Sequence, residues 1–180
     1  ESTYVLHWIN AFEEGDEIVL DGYFQGNPSA TPRDDLPAVP SPLYRHIDLC
    51  SLQARIRRYR LHPKTGLVKE EDLSDRLMEF GMINARHGGQ PYRYSYNMTA
   101  HPGWFLFDGI VKHDHSTGQQ ERYAFGAGIF GSETPMAPRV GSSSEDDGYL
   151  VTFVSDLNAN RSQCLIPSAQ DVSAGPSARI

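Results

Sequence analysis

The chain has 180 residues, enough to bury one sizeable core, so a single domain is the expectation from length alone. Its 39% hydrophobic and 11% aromatic content, with 16 Gly and 12 Pro, suits packed strands joined by many turns, and no stretch approaches the roughly 20 apolar residues that span a bilayer. A formal charge of -7 argues against a nucleic-acid partner, because phosphate binding needs a concentrated basic surface.

Residues 4–14 place His7 among apolar neighbours, then Asn10 and the acids Glu13 and Glu14. A turn at Gly15-Asp16 leads into a second strand over 17–23, so the chain opens on a hairpin with a metal-ligand type of side chain near its mouth. No basic leader precedes it, and the direct start in strand pattern reads as a cut through a longer protein. Residues 25–42, rich in Pro, Asn, Ser and Asp, form a long loop. A strand is expected over 52–62. Its basic run Arg55-Ile56-Arg57-Arg58-Tyr59-Arg60 spreads over both faces, as a solvated edge or a set of internal ion pairs does.

The turn Pro63-Lys64-Thr65-Gly66 follows, and the charged piece 70–78 is read as strand or loop. Tyr92-Arg93-Tyr94-Ser95-Tyr96 alternates with the period of two of a strand. Residues 104–114 and 120–128 make a second hairpin around His115-Ser116-Thr117-Gly118, and 149–155 with 162–167 make a third. Residues 177–180 begin a further strand. Cys50 and Cys164 lie far apart without CxxC spacing, which indicates neither zinc nor a disulfide framework and makes a reducing cytoplasm the expected compartment. Repeated antiparallel hairpins define an all-β chain, as a sandwich, barrel or propeller.

Two acids stand in surroundings where a merely solvating carboxylate is out of place. Glu79 lies in Met78-Glu79-Phe80-Gly81-Met82-Ile83-Asn84, and burial there without a partner is costly. Glu133 lies in Gly131-Ser132-Glu133-Thr134-Pro135-Met136-Ala137-Pro138-Arg139. The later Glu145-Asp146-Asp147-Gly148 lacks the alternating oxygen ligands of a calcium loop and is read as an acidic turn before a strand. His113 and His115 point to one face of a strand, but they, His46, His62, His87 and His101 lack a ligand pattern.

The order His7-x-x-Asn10-Ala11-Phe12-Glu13, then Glu79-Phe80-x-x-Ile83-Asn84, Glu133 with Pro138 and Arg139, the acidic turn, and finally Pro176-Ser177-Ala178-Arg179-Ile180 resembles the carotenoid cleavage oxygenase family. The resemblance covers nearly the whole chain. Thr134 and Met136 depart from the family's usual Pro and Phe, which leaves the loop around Glu133 the weakest match.

The resemblance implies a seven-bladed β-propeller, of which residues 1–180 supply about the last three blades, and a non-haem Fe(II), Fe(2+), centre held by four histidines. His7 matches one of those ligands. Glu79 and Glu133 match carboxylates that steady the iron histidines from behind, and Glu13 matches an acid that orients the turn. The implied activity is oxidative cleavage of an alkene, an apocarotenoid or stilbenoid, by dioxygen to two carbonyl products. The other three histidines belong to the remaining propeller blades, so the segment by itself is expected to be inactive. The alternatives are the family's isomerohydrolase chemistry, a non-catalytic binding propeller, and a sugar hydrolase using Asp146 and Asp147.

Overall fold

The computed structural model describes residues 4–26, 53–102 and 105–180. Of the expected loop 25–42 only Gln25 and Gly26 fall within them, and Cys50, His46 and Trp104 lie outside the described residues. Among the described residues the regular structure is fourteen strands and a 3-10 turn at Ala85–His87. Among the described residues no helix is long and apolar enough to cross a membrane.

The first sheet runs β1 (Tyr4–Glu14), β2 (Glu17–Gln25), β3 (Ala54–Leu61) and β4 (Val68–Asp72) in sequence order, all antiparallel. The expected turn at Gly15-Asp16 closes its first hairpin, with Glu14 opposite Glu17 and Gly15 at φ +64°, a conformation that glycine adopts without steric cost. The basic run occupies β3, an interior strand, and resolves into ion pairs: Arg57 with Asp72 and Glu70, Arg58 with Asp21, and Arg60 with Glu14 and Glu17. Of the two motif acids it is Glu14, not Glu13, that bonds to this ladder.

The second sheet runs β5 (Met78–Met82), β6 (Tyr94–Ala100), β7 (Phe107–Asp114) and β8 (Gln120–Ala124), again in order and antiparallel. The third has the order β14 (Pro176–Arg179), β13 (Arg161–Pro167), β12 (Thr152–Asp156) and β9 (Ile129–Gly131). Between β9 and β12 the chain makes a two-stranded excursion, β10 (Met136–Pro138) with β11 (Gly148–Leu150). The strand expected over 149–155 is thus two strands: Leu150 pairs with Met136, while Thr152 pairs with Leu165. Continuous apolar alternation through Val151 hid the switch of partner.

The second sheet is the middle layer, and the period of two in β6 and β7 decides what each face meets. Tyr96, Met98 and Ile110 join Met136, Leu150, Val154 and Leu165 of the third sheet and its excursion in one apolar core. Asn97, Val111 and His113 face the first sheet instead: Val111 packs with Ile9, Val19, Tyr23 and Ile56, and Asn97 accepts a hydrogen bond from the Tyr23 hydroxyl. That second interface is markedly more polar.

Candidate metal centre

β1 is irregular where His7 sits. Val5 pairs with Phe24, Trp8 with Gly22 and Asn10 with Asp21, so five steps along β1 answer to three along β2. The two bulges re-aim the intervening side chains. They leave the His7 imidazole 40% exposed, while Ile9 and Phe12 further along β1 are buried.

β5 carries a matching irregularity. Glu79 pairs with Met98 and Met82 with Tyr96, which inserts one extra residue, and Phe80 takes φ +55°, a left-handed conformation costly for an aromatic residue. This turns the Glu79 carboxylate back toward β1. Its Oε2 accepts the His7 Nδ1 proton at 2.8 Å and also the Phe80 backbone N–H at 2.8 Å. The Glu79 side chain is fully buried, and its Oε1 has no partner among the described residues. Burial pushes its pKa above the ordinary glutamate value, and the bonds from Phe80 and His7 oppose that rise.

With Nδ1 bonded to the carboxylate, Nε2 is the His7 nitrogen left for a further bond. A carboxylate behind an imidazole fixes its tautomer and raises its basicity as a ligand, the arrangement typical of metal-binding histidine. An imidazole backed in this way has the chemistry of a nitrogen ligand to a transition-metal ion. Among the described residues no group of three or more His, Cys, Asp and Glu side chains could complete a centre.

Phe80 connects this pair to an apolar cleft. Its ring centroid lies 4.6 Å from that of His7, and it meets Phe107 edge-on at 5.0 Å and Phe105 at 6.0 Å. The cleft, about 550 Å³, is lined by these three phenylalanines with Val151, Phe153 and Pro135, and Glu133 stands on its rim. Glu133, which follows β9, is exposed and does not touch His7. Of the three site residues expected from the sequence, the structure thus joins His7 to Glu79 by a hydrogen bond and places Glu133 on the cleft that Phe80 also lines. Phe80 belongs to the Glu79 motif, while Phe105 and Phe107 lie outside every motif read from the sequence. The Phe105-Leu106-Phe107 alternation was a usable signal, but aromatic spacing does not tell a cleft wall from a core.

His113 and His115 keep structural partners. Their rings meet at a tilt, 4.6 Å apart, His113 Nδ1 meets the Gln120 amide at 3.1 Å and His115 Nε2 meets Ser95 Oγ at 2.9 Å. The acidic turn divides its charges: Glu145 accepts the backbone N–H groups of Arg93 and Tyr94, Asp146 accepts from Lys112, and Asp147 pairs with Arg139. Each carboxylate is engaged with its own donor, an arrangement unlike paired catalytic acids.

A profile of the retinal pigment epithelial membrane protein family, the carotenoid cleavage oxygenases, matches residues 1–180. The chain belongs to this family. It is 29% identical to the apocarotenoid-15,15'-oxygenase of Synechocystis over 97% of its own length and 35% of that protein. It is 27% identical to the lignostilbene-alpha,beta-dioxygenase isozyme III of Sphingomonas paucimobilis, over 99% of this chain and 38% of that one. Among solved structures, the cobalt-substituted apocarotenoid oxygenase of Synechocystis superposes with a TM-score of 0.82 at 29% identity, covering 98% of this chain and 36% of that chain. The chain therefore spans little more than a third of the length of these oxygenases, one of which takes cobalt in place of its own metal.

Proposed function

We propose that the intact protein is a non-haem Fe(II) dioxygenase that cleaves a carbon–carbon double bond of an apocarotenoid or stilbenoid to two carbonyl products. The observation that carries this reading is the His7–Glu79 pair: an imidazole held by a buried carboxylate, its ring 4.6 Å from Phe80, which lines an apolar, phenylalanine-rich cleft. The oxygenase relatives support the reaction class, and their names cover both substrate types. The three antiparallel sheets are read as three blades of a seven-bladed propeller whose other blades supply the remaining ligands. The isolated segment, with one ligand, is inactive on this reading.

His7 would hold the ion through Nε2, while Glu79 keeps the ring from turning and would offset part of the ion's charge. Bound Fe(II) would supply the site at which dioxygen is activated next to the alkene. The phenylalanines Phe80, Phe105 and Phe107 hold an apolar, planar substrate by stacking and edge contacts and keep water from the reacting carbons. Glu133 is assigned to the support of a second iron histidine from the remainder of the protein. Among the described residues Glu133 is the one charged side chain lining the cleft, which suits a substrate without ionic groups.

The test is anaerobic Fe(II) stoichiometry of the intact protein, wild type beside His7→Ala. One iron per chain that disappears in the variant is expected, and the loaded wild type should then convert an alkene to two carbonyl products under dioxygen. Equal iron in both proteins, or none in either, overturns the oxygenase reading and leaves a binding propeller. A single isomerised alcohol as product would instead indicate the isomerohydrolase chemistry.

A further inference from the structure

The bulge that aims Glu79 rests on a polar floor contributed by two other strands. Gly81, the residue after the strained Phe80, has no room for a side chain. A Cβ there would collide with the Tyr23 hydroxyl of β2, and would lie 2.8 Å from Ile9 Cγ1 and 3.0 Å from Asn97 Oδ1 of β6. Tyr23 and Asn97 are fully buried. They are joined to one another, the Tyr23 hydroxyl donating to Asn97 Oδ1 at 2.6 Å.

Asn97 is itself fixed at its other end. Its amide nitrogen donates to Ser95 Oγ at 3.1 Å, to the Ser95 carbonyl at 3.2 Å and to the Val111 carbonyl at 3.1 Å. An amide with its oxygen and nitrogen both engaged cannot rotate without leaving buried groups unsatisfied. The Tyr23 hydroxyl cannot retreat either, since it would lose its only described acceptor in a site without water access. The pair is therefore a stiff platform pressed against the Gly81 backbone.

We propose that Tyr23 and Asn97 are positioning residues for His7, acting through Gly81 and Glu79. They prevent the extra residue in β5 from relaxing into regular pairing with β6, so Phe80 stays at positive φ and the Glu79 carboxylate stays turned toward His7 Nδ1. The inference that this tunes metal binding rests on the reading of His7 as a ligand. The inference that it holds the His7–Glu79 bond does not.

Two readouts keep these apart. In the metal-free intact protein, selective 15N labelling of histidine reports the His7 tautomer and its Nδ1–H bond, assigned by its loss in His7→Ala. The second readout is Fe(II) affinity. Gly81→Ala is expected to abolish the hydrogen-bonded Nδ1–H signal of His7 and to weaken iron binding by about 10–100-fold, the usual effect of removing an outer partner of a ligand. Tyr23→Phe, which loosens the platform while keeping the ring, should weaken it severalfold less.

The decisive variant combines the two. If the hydroxyl and the new Cβ compete for one space, Gly81→Ala/Tyr23→Phe regains part of the Nδ1–H signal and binds iron more tightly than Gly81→Ala alone. General destabilisation predicts the opposite, a double variant worse than either single one. A wild-type His7 signal in folded Gly81→Ala, or a double variant worse than Gly81→Ala, overturns the proposal. Wild-type protein that shows the His7–Glu79 bond but binds no iron sinks the oxygenase reading and leaves the platform standing.

Discussion

The two faces of the second sheet differ in what holds them. Toward the third sheet the contact is centred on an apolar core, with Met98, Ile110, Phe125, Leu150 and Leu165 packed together, and the Lys112–Asp146 pair lies at its edge. Toward the first sheet it is threaded with hydrogen bonds. Asp21 accepts from both arms of Arg58 at 2.8 Å and from the Tyr92 hydroxyl at 2.6 Å, and Tyr23, Asn97, Ser95 and His115 continue the network. Apolar packing tolerates small slips of side chains, whereas groups tied by buried hydrogen bonds cannot slip without breaking them. The face that carries His7 and Glu79 is the one whose register the network fixes.

The contrast can be broken most severely at Asp21. Asp21→Ala strands the Arg58 guanidinium and the Tyr92 hydroxyl, and is expected to destabilise the protein by about 3–5 kcal/mol. Denaturant unfolding of the intact protein measures it. On the other face, Ile110→Ala is expected to cost about 2–4 kcal/mol, by lost transfer and a residual cavity. It should leave the His7–Glu79 bond intact, whereas Asp21→Ala disturbs it. An equal effect of both variants on His7 would remove the distinction between the faces.

A gentler probe is acid. Burial, with the His113 imidazole adding to it, holds His115 down to about 3 against an ordinary 6.5. The unfolded chain takes up a proton below pH 6.5 that the folded protein refuses, so stability falls as pH drops from 6.5 toward 3. The slope from this one group is at most about 1.4 kcal/mol per pH unit. Melting temperatures between pH 7 and pH 5 should show it, and His115→Phe should flatten the dependence. The smallest change belongs to Glu133→Gln. This exposed side chain should shift unfolding by less than about 0.5 kcal/mol, and any loss in the variant should appear in iron affinity alone.

Much of this was legible beforehand because its signals are local. The Gly15-Asp16 turn, the alternation around Tyr94 and Tyr96 and the two later hairpins follow from turn chemistry and a period of two. The short strands β5, β9 and β10 were not legible. Each is defined by its partner strand, and Phe80 in β5 and Pro138 in β10 contradict a regular strand locally. At the candidate centre, Glu79 betrayed itself as a carboxylate inside an apolar run. Tyr23 and Asn97 gave no such sign: a tyrosine and an asparagine 74 positions apart look ordinary until the two sheets are stacked.

The acidic turn has a consequence for the lengths of chain that related proteins can accept. Glu145, Asp146 and Asp147 are consecutive, yet they reach the Arg93–Tyr94 backbone, Lys112 and Arg139, three targets on separate strands or strand ends. Their spacing works as a ruler. One inserted residue between Glu145 and Asp147 would lift at least one carboxylate off its mark, leaving the almost buried Lys112 ammonium with the Gln170 carbonyl but no counter-charge, or two backbone amides unanswered. A few residues upstream, Val140 stands almost wholly in solvent. Insertions and deletions among relatives should therefore gather around Val140 and stop short of Glu145.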